Sequence, residues 1–269
     1  MTKKRNFISA WTVLSAVTML MFFSGCAKEE TPDRSTVYDL NVKDVLGVSG
    51  TVTFTETSST VATIDIKMFG APSGSHPVVL NMYSTVETGP VVLVLNPVDA
   101  SGNSSTAITA KTYAQLITFD GSIRILQSSI QPNVILAQTD IGGNEITTSN
   151  KSFVLTSVGE FGVSGNVLFE KRVNGNTLVT ILLTGQISGD VYPATINLGS
   201  ISSVGGGPVT LTLNNVDGSN GKSYTNIRQL NSGIEITYDN WLVYDGYVNI
   251  YQNTISLDNV ISHGNIGSN

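Results

Sequence analysis

The segment GVSGTVTF at residues 47–54 is repeated almost unchanged, as GVSGNVLF, at 162–169. Toward the end of each copy, apolar residues alternate with other residues, as Val167 and Phe169 do in the second copy. An alternation with a period of two predicts a β-strand that buries one face. The glycine that opens each copy is typical of a turn. The chain therefore contains one turn-and-strand unit that occurs twice.

Two further pairs of segments extend the duplication. GPVVLVLNPVD at 89–99 matches GPVTLTLNNVD at 207–217, and FDG at 119–121 matches YDG at 244–246. The offset between the copies grows from 115 to 118 and then to 125 residues, which indicates insertions in loops. A period near 120 is longer than the roughly 20–50 residues of a solenoid or propeller unit. It is typical of a domain that folds independently.

We therefore predict domain 1 at 36–144, a linker at 145–151 and domain 2 at 152–269. Apolar runs with a period of two, separated by clusters of Gly, Pro, Asn and Asp, predict about seven short strands in each domain. One short helix is expected in each domain, beginning near Thr112 and near Thr237, whose hydroxyls can cap the first amides. The predicted fold class is all-β, with two tandem antiparallel β-sandwiches or flattened barrels.

Composition limits the chemistry. The 269 residues include two His and one Cys, and charged residues make up 13% of the chain. So few imidazoles and thiols leave little material for metal or nucleophilic chemistry. The net charge is −6, and the few basic residues are scattered, so nucleic acid is not expected as a partner.

The amino terminus has the pattern of an export signal. Lys3, Lys4 and Arg5 precede an uncharged segment at 7–24, which ends next to the single cysteine, Cys26. Positive charge followed by an apolar run is typical of secretory signal peptides. An uncharged run of this length can also remain as a membrane anchor.

The segment FSGC at 23–26 resembles the lipobox of bacterial lipoproteins. This resemblance implies a signal peptide at 1–25, a tether at 26–35 and lipidation of Cys26. Removing 1–25 takes away three basic residues and changes the net charge from −6 to −9. The run KEE at 28–30 resembles the surface-export signal of Bacteroidetes lipoproteins, although a charged tether is the alternative. The expected location is the outer membrane, at the cell surface or facing the periplasm.

Several motifs resemble the CHRD domain, a module named from chordin. They are VSGTVTF at 48–54, GSHP at 74–77, AQTDIG at 137–142 and, in the second copy, YDGYVNI at 244–250. The resemblance implies an immunoglobulin-like sandwich related to copper/zinc superoxide dismutase. The family's His-Pro-x-His-x-His run reads HPVVLN at 76–81 in this chain, so two of its three imidazoles are missing.

In the second copy the same run is YPATIN at 192–197, and a further family histidine corresponds to Leu126 and Tyr251. Metal sites of this kind need about three protein ligands, so we expect no metal, no cofactor and no enzymatic activity. His76 and His263 lie in glycine-rich segments and are predicted to be exposed. The alternative function is a metal-dependent redox protein with a degenerate site at His76.

One strand of the second copy suggests a ligand-binding face. Tyr247, Asn249 and Tyr251 alternate with apolar residues, and Tyr192 and Asn197 join them if the former histidine run lies alongside. Aromatic rings beside amides suit recognition of a sugar or a peptide. Ordinary packing of tyrosines across strands is the alternative. The predicted function is an extracellular binding or structural module whose partner is a polysaccharide or an envelope protein.

Four aspartates fall in or beside turns, where an Asp side chain accepts hydrogen bonds from nearby backbone amides. They are Asp99, Asp120, Asp217 and Asp245. Calcium binding in these loops is the alternative to a structural role.

Overall fold

The computed structural model describes residues 34–87, 89–186, 189–204, 206–255 and 257–269. The predicted signal peptide and Cys26 lie outside the described residues. Among those residues, no helix combines the length and the apolar character needed to cross a membrane.

The first repeat is an eight-stranded antiparallel sheet with the strand order β5-β4-β7-β8-β1-β2-β3-β6. One short helix, α1, precedes β7. The elements are β1 Ser35–Val42, β2 Ser49–Glu56, β3 Ala62–Phe69, β4 His76–Met82, β5 Val91–Val98, β6 Asn103–Ile108, α1 Tyr113–Leu116, β7 Gly121–Ser128 and β8 Gln131–Ile141. A 3-10 turn at Gly142–Asn144 leads into the second repeat.

The second repeat has the same succession of elements. They are β9 Ile146–Ser157, β10 Ser164–Arg172, β11 Thr177–Thr184, β12 Val191–Leu198, β13 Val209–Asp217, β14 Lys222–Ile227, α2 Tyr238–Trp241, β15 Asp245–Tyr251 and β16 Val260–Gly267. Its spatial order, β13-β12-β15-β16-β9-β10-β11-β14, matches that of the first repeat, and it closes into a barrel where β13 pairs with β14. The duplication read from the sequence is therefore also a duplication of topology.

The all-β prediction is confirmed, with eight strands in each repeat and one short helix in each. The segment at 145–151 lies largely within β9, where Asn150 pairs with Glu170 of β10. The chain thus passes between the repeats through a strand.

Matching asparagines join the two strands that lie at opposite ends of the spatial strand order, at the same place in each repeat. Asn96 of β5 donates from Nδ2 to the carbonyl of Ser105 at 2.7 Å. Asn214 of β13 makes the same bond to the carbonyl of Tyr224, also at 2.7 Å. These side chains bridge β5 to β6 and β13 to β14. The two end strands of the strand order therefore lie next to each other in each repeat.

Each repeat encloses its own apolar core. Apolar residues that alternate along the strands, as Val167 and Phe169 do, are buried in these cores, among them Val52, Phe54, Ile64, Ile66, Met68, Val167, Phe169, Val179, Ile181 and Leu183. In the second core the ring of Trp241 lies 5.7 Å from that of Phe169 and 4.8 Å from that of Tyr244, measured between centroids. Helix α2 therefore contributes the largest side chain of that core.

The predicted helix starts are confirmed. Thr112 Oγ1 accepts a hydrogen bond from the Gln115 amide, and the Gln115 side chain accepts one from the Thr112 amide. This reciprocal pair is a capping box. At α2, Asn240 accepts from the Thr237 amide at 2.9 Å.

Two of the four turn aspartates act as turn acceptors at equivalent places. Asp99 Oδ1 accepts from the hydroxyl and the amide of Ser101, and Asp217 Oδ1 accepts from the same groups of Ser219. The hydrogen bond from the serine hydroxyl is the main cause that lowers the pKa of each carboxyl.

We predict that acid weakens the fold partly through these turns. A carboxyl whose pKa is lower in the folded than in the unfolded chain stabilises the fold. This stabilisation is complete above the pKa of the unfolded carboxyl, about 4, and it is lost as the pH falls through the pKa of the folded carboxyl. Urea unfolding from pH 6 to pH 2.5 should show a shallower acid dependence for the Asp99→Asn/Asp217→Asn variant than for the wild type. Asp39→Asn/Asp258→Asn, which makes the same change of two charges at exposed positions, is the control. An unchanged acid dependence in the double variant would contradict the assignment.

Candidate functional site

The five residues predicted as a ligand-binding face are buried. Tyr247, Asn249 and Tyr251 are 4%, 8% and 7% exposed, and Tyr192 and Asn197 are also buried. The prediction of an accessible face at these residues is therefore wrong.

Their surroundings explain the burial. The connection between β12 and β13 is anchored to this face through Gly207, whose amide donates to Tyr247 Oη at 2.8 Å. Asn197 Nδ2 donates to the Gly207 carbonyl at 3.0 Å. The first repeat has the equivalent bond, from Asn81 Nδ2 to the Gly89 carbonyl, also at 3.0 Å. The Asn197 amide that suggested ligand recognition holds the hairpin connection between β12 and β13 in place.

The structure also corrects the placement of His76, which was predicted to be exposed and is 2% exposed. Its Nδ1 lies 2.8 Å from the carbonyl oxygen of Gln127, and its Nε2 lies 2.8 Å from that of Pro72. The ring therefore ties the β3–β4 connection to β7. His263 is half-buried, and burial lowers its pKa. Within the described ranges, no group of three or more His, Cys, Asp or Glu side chains is arranged to hold a metal ion.

The richest cluster of charges lies between the repeats. Glu87, on the β4–β5 connection, accepts from Arg228 Nη2 at 2.8 Å and from Asn226 Nδ2 at 2.9 Å. Asp140 of β8 accepts from Arg172 Nη1 at 2.6 Å. Residues of β8 and of the β4–β5 connection thus face residues at the ends of β10 and β14. We call this contact between the repeats the seam.

Arg172 is the centre of the seam. Its side chain is fully buried, while that of Asp140 is 15% exposed. Arg172 Nη1 also donates to the carbonyl of Asn144. Burial raises the pKa of the neighbouring Glu170, and the charge of Arg172 opposes that rise. A guanidinium removed from water is tolerated only while it keeps an anionic partner and hydrogen bonds.

Asp140 also contacts the β4–β5 connection, which forms another part of the seam. Its Oδ1 accepts from the Thr85 amide at 2.6 Å. Arg124 of β7 donates to the carbonyl of Thr85 at 3.2 Å and to that of Glu87 at 2.9 Å. The β4–β5 connection is therefore held at several points, and these contacts fix the carboxylate of Glu87 in front of Arg228.

Tyr83 is the strained residue of the seam. Its φ is +68°, and no other non-glycine residue in the described part of the chain has a positive φ. The cost of that conformation is on the order of 1–2 kcal/mol for a residue with a side chain. The ring centroid of Tyr83 lies 4.4 Å from Cζ of Arg228, which is a cation–π contact across the seam.

Sequence reasoning missed these residues because it searched for motifs that occur in both copies. The seam is built from positions at which the aligned copies differ. Arg172, Arg228 and Tyr83 stand where the other copy has Thr57, Thr109 and Gly199. A charge or ring present in only one copy is the signal that could have identified them.

A wide cleft of about 910 Å³ opens beside the seam and is lined by both repeats. Amide side chains dominate its lining, together with two lysines, two aspartates and one aromatic ring, Tyr224, which is 42% exposed. The amides are Asn41 and Gln138 from the first repeat and Asn214, Asn215 and Asn220 from the second. Such a surface offers hydrogen-bond donors and acceptors side by side.

Comparisons with protein-family models, with curated proteins and with solved structures find no match to this chain.

We predict that Arg172→Ala lowers the free energy of unfolding by about 3–5 kcal/mol, because it leaves Asp140 largely buried without its partner. Lys171→Ala is the matched control, since Lys171 forms a partly exposed pair with Asp239, and it should cost less than about 1 kcal/mol. Urea unfolding followed by tryptophan fluorescence measures both. Equal losses for the two variants would contradict the central role of Arg172.

Proposed function

We propose that the protein is a non-catalytic binding protein of the bacterial cell surface. In this proposal its two repeats are CHRD-like domains of the immunoglobulin-like, superoxide dismutase-like sandwich class. They hold a carbohydrate chain in the wide cleft between them, and a lipid on Cys26 holds the protein in the outer membrane.

The chemistry of the cleft supports a carbohydrate. An Asn or Gln side chain carries a carbonyl acceptor and two N–H donors, and sugar hydroxyls need both kinds of partner. Asn214 and Asn220 each use one N–H on the carbonyl of Tyr224 and the carboxylate of Asp217, and each keeps a second. The ring of Tyr224 offers a flat apolar surface of the kind that packs against the face of a sugar. The cleft volume of about 910 Å³ is within the range of ligand sites, roughly 300–1,000 Å³.

One observation carries the proposal: both repeats contribute to the lining of the wide cleft. Lys43 and Gln138 come from the first repeat, and Asn215, Lys222 and Tyr224 come from the second. A duplicated fold that docks in one fixed way creates a concave surface that neither copy has alone. The buried pair of Arg172 and Asp140 holds that surface in shape.

The location follows from the sequence. The lipobox-like segment at 23–26 ends in the single cysteine of the chain, and the KEE run follows it closely. Each buried methylene of an attached acyl chain adds about 0.8 kcal/mol of membrane affinity, so several chains anchor a protein stably. A binding protein anchored there meets extracellular polysaccharide directly.

We predict that the full chain, purified in detergent, binds oligosaccharides on a glycan array. Tyr224→Ala should weaken this binding by about 5- to 10-fold, which corresponds to the free energy of one contact between an aromatic ring and a sugar. Phe161→Ala is the control, because Phe161 is 45% exposed on another connection. Binding to envelope proteins but to no glycan would contradict the proposed ligand. Binding to neither would favour a purely architectural role.

We predict that Cys26→Ala abolishes incorporation of labelled palmitate in the native bacterium, because the chain has no second cysteine to accept the lipid. Protease treatment of intact cells then reports whether the anchored wild type is exposed at the surface. Continued labelling of the variant would contradict lipidation at Cys26.

A further inference from the structure

We infer that a second hollow at the seam binds the carboxylate of an acidic saccharide such as a uronic acid. The hollow has a volume of about 540 Å³ and lies beside Tyr83. None of the described residues that line it also lines the wide cleft. The two sites are therefore separate, and the inference goes beyond the proposed function.

Two cations and two aromatic rings line this hollow. Nζ of Lys111 lies 4.5 Å from the ring centroid of Phe119, and Cζ of Arg228 lies 4.4 Å from that of Tyr83. Each cation is thus paired with a ring, which limits its movement. Arg228 also shares its charge with Glu87 through their ion pair, whereas Lys111 forms no ion pair among the described residues. Lys111 therefore supplies the positive charge that attracts an anion to the hollow, and Arg228 supplies further N–H donors beside it.

The guanidinium of Arg228 suits a carboxylate in particular. A planar guanidinium carries five N–H donors and can hold both oxygens of a carboxylate at once. Nη2 of Arg228 already donates to Glu87, which fixes the plane of the group. The side chain is 44% exposed, so a ligand can reach it from solvent.

The strained backbone of Tyr83 is a second, independent observation that supports a binding site in the hollow. The aligned residue of the second repeat is Gly199, which has a φ of +88° and donates its amide to the Asp245 carbonyl. Tyr83 makes the equivalent bond to the Asp120 carbonyl. Glycine meets this backbone requirement without strain, so the connection does not need a ring. The ring therefore serves the contact with Arg228 and the wall of the hollow.

Asp120 also lines the hollow, and its negative charge allows the proposed binding of an anion to be tested. Its Oδ1 accepts from Asn174 Nδ2 at 3.0 Å, and an asparagine at this position keeps a carbonyl acceptor for that bond. Its negative charge opposes a bound anion. Removing that charge should strengthen binding, which a purely structural hollow would not do.

The test measures binding of tetragalacturonate to the full chain in detergent by calorimetry, with the neutral maltotetraose for comparison. Lys111→Gln should weaken tetragalacturonate binding by about tenfold, the value of one hydrogen bond to a charged group. Tyr83→Gly should weaken it by about 2- to 5-fold, because it removes the ring that holds Arg228 in place. Asp120→Asn should strengthen it by a few-fold. The urea midpoint of Tyr83→Gly should equal or exceed that of the wild type, because glycine adopts this backbone conformation without strain. Weaker binding by a variant with such a midpoint is then due to the altered hollow and not to unfolding.

Unchanged tetragalacturonate binding in Lys111→Gln and Tyr83→Gly would overturn the inference, as would no binding by the wild type. The Tyr224→Ala variant should bind tetragalacturonate at this hollow as the wild type does. A failure of the proposed function would appear as unchanged binding of neutral glycans in Tyr224→Ala, so the two failures are distinguishable.

Discussion

The buried ion pair of Arg172 and Asp140 is the interaction on which the arrangement of the two repeats depends. The guanidinium of Arg172 is fully removed from water, and its carboxylate partner comes from the other repeat, so this pair forms only when the two repeats are docked. Asp140 also holds the amide of Thr85, and through the β4–β5 connection it sets the position of Glu87 against Arg228. The shapes of the wide cleft and of the hollow beside Tyr83 both follow from this chain of contacts.

The seam joins unlike faces of two similar folds. The first repeat contributes β8 and the β4–β5 connection, whereas the second contributes the ends of β10 and β14. Head-to-tail contacts between identical units would continue into a ring or a filament. Here the copies have diverged: Thr57 aligns with Arg172, and Asn265 aligns with Asp140. The charges that dock the repeats therefore occur once in each chain, which limits the contact to a single pair.

The sequence predicted the parts of the structure that depend on local pattern. Alternating residues such as Val52 and Phe54 lie in the cores, and Thr112 begins a capped helix, because periodicity and capping act over a few residues. The alternation also assigned Tyr247 to the correct side of its strand, but it could not show that a connection covers that side. Arg228 and Glu87 are 141 residues apart, so only the fold brings them together.

Calorimetric unfolding of the full chain tests the central claim most directly, since the claim is that the seam makes the two repeats one cooperative unit. The account predicts a single transition in which the calorimetric enthalpy equals the van't Hoff enthalpy. Two separate transitions, each with the enthalpy of one repeat, would contradict it.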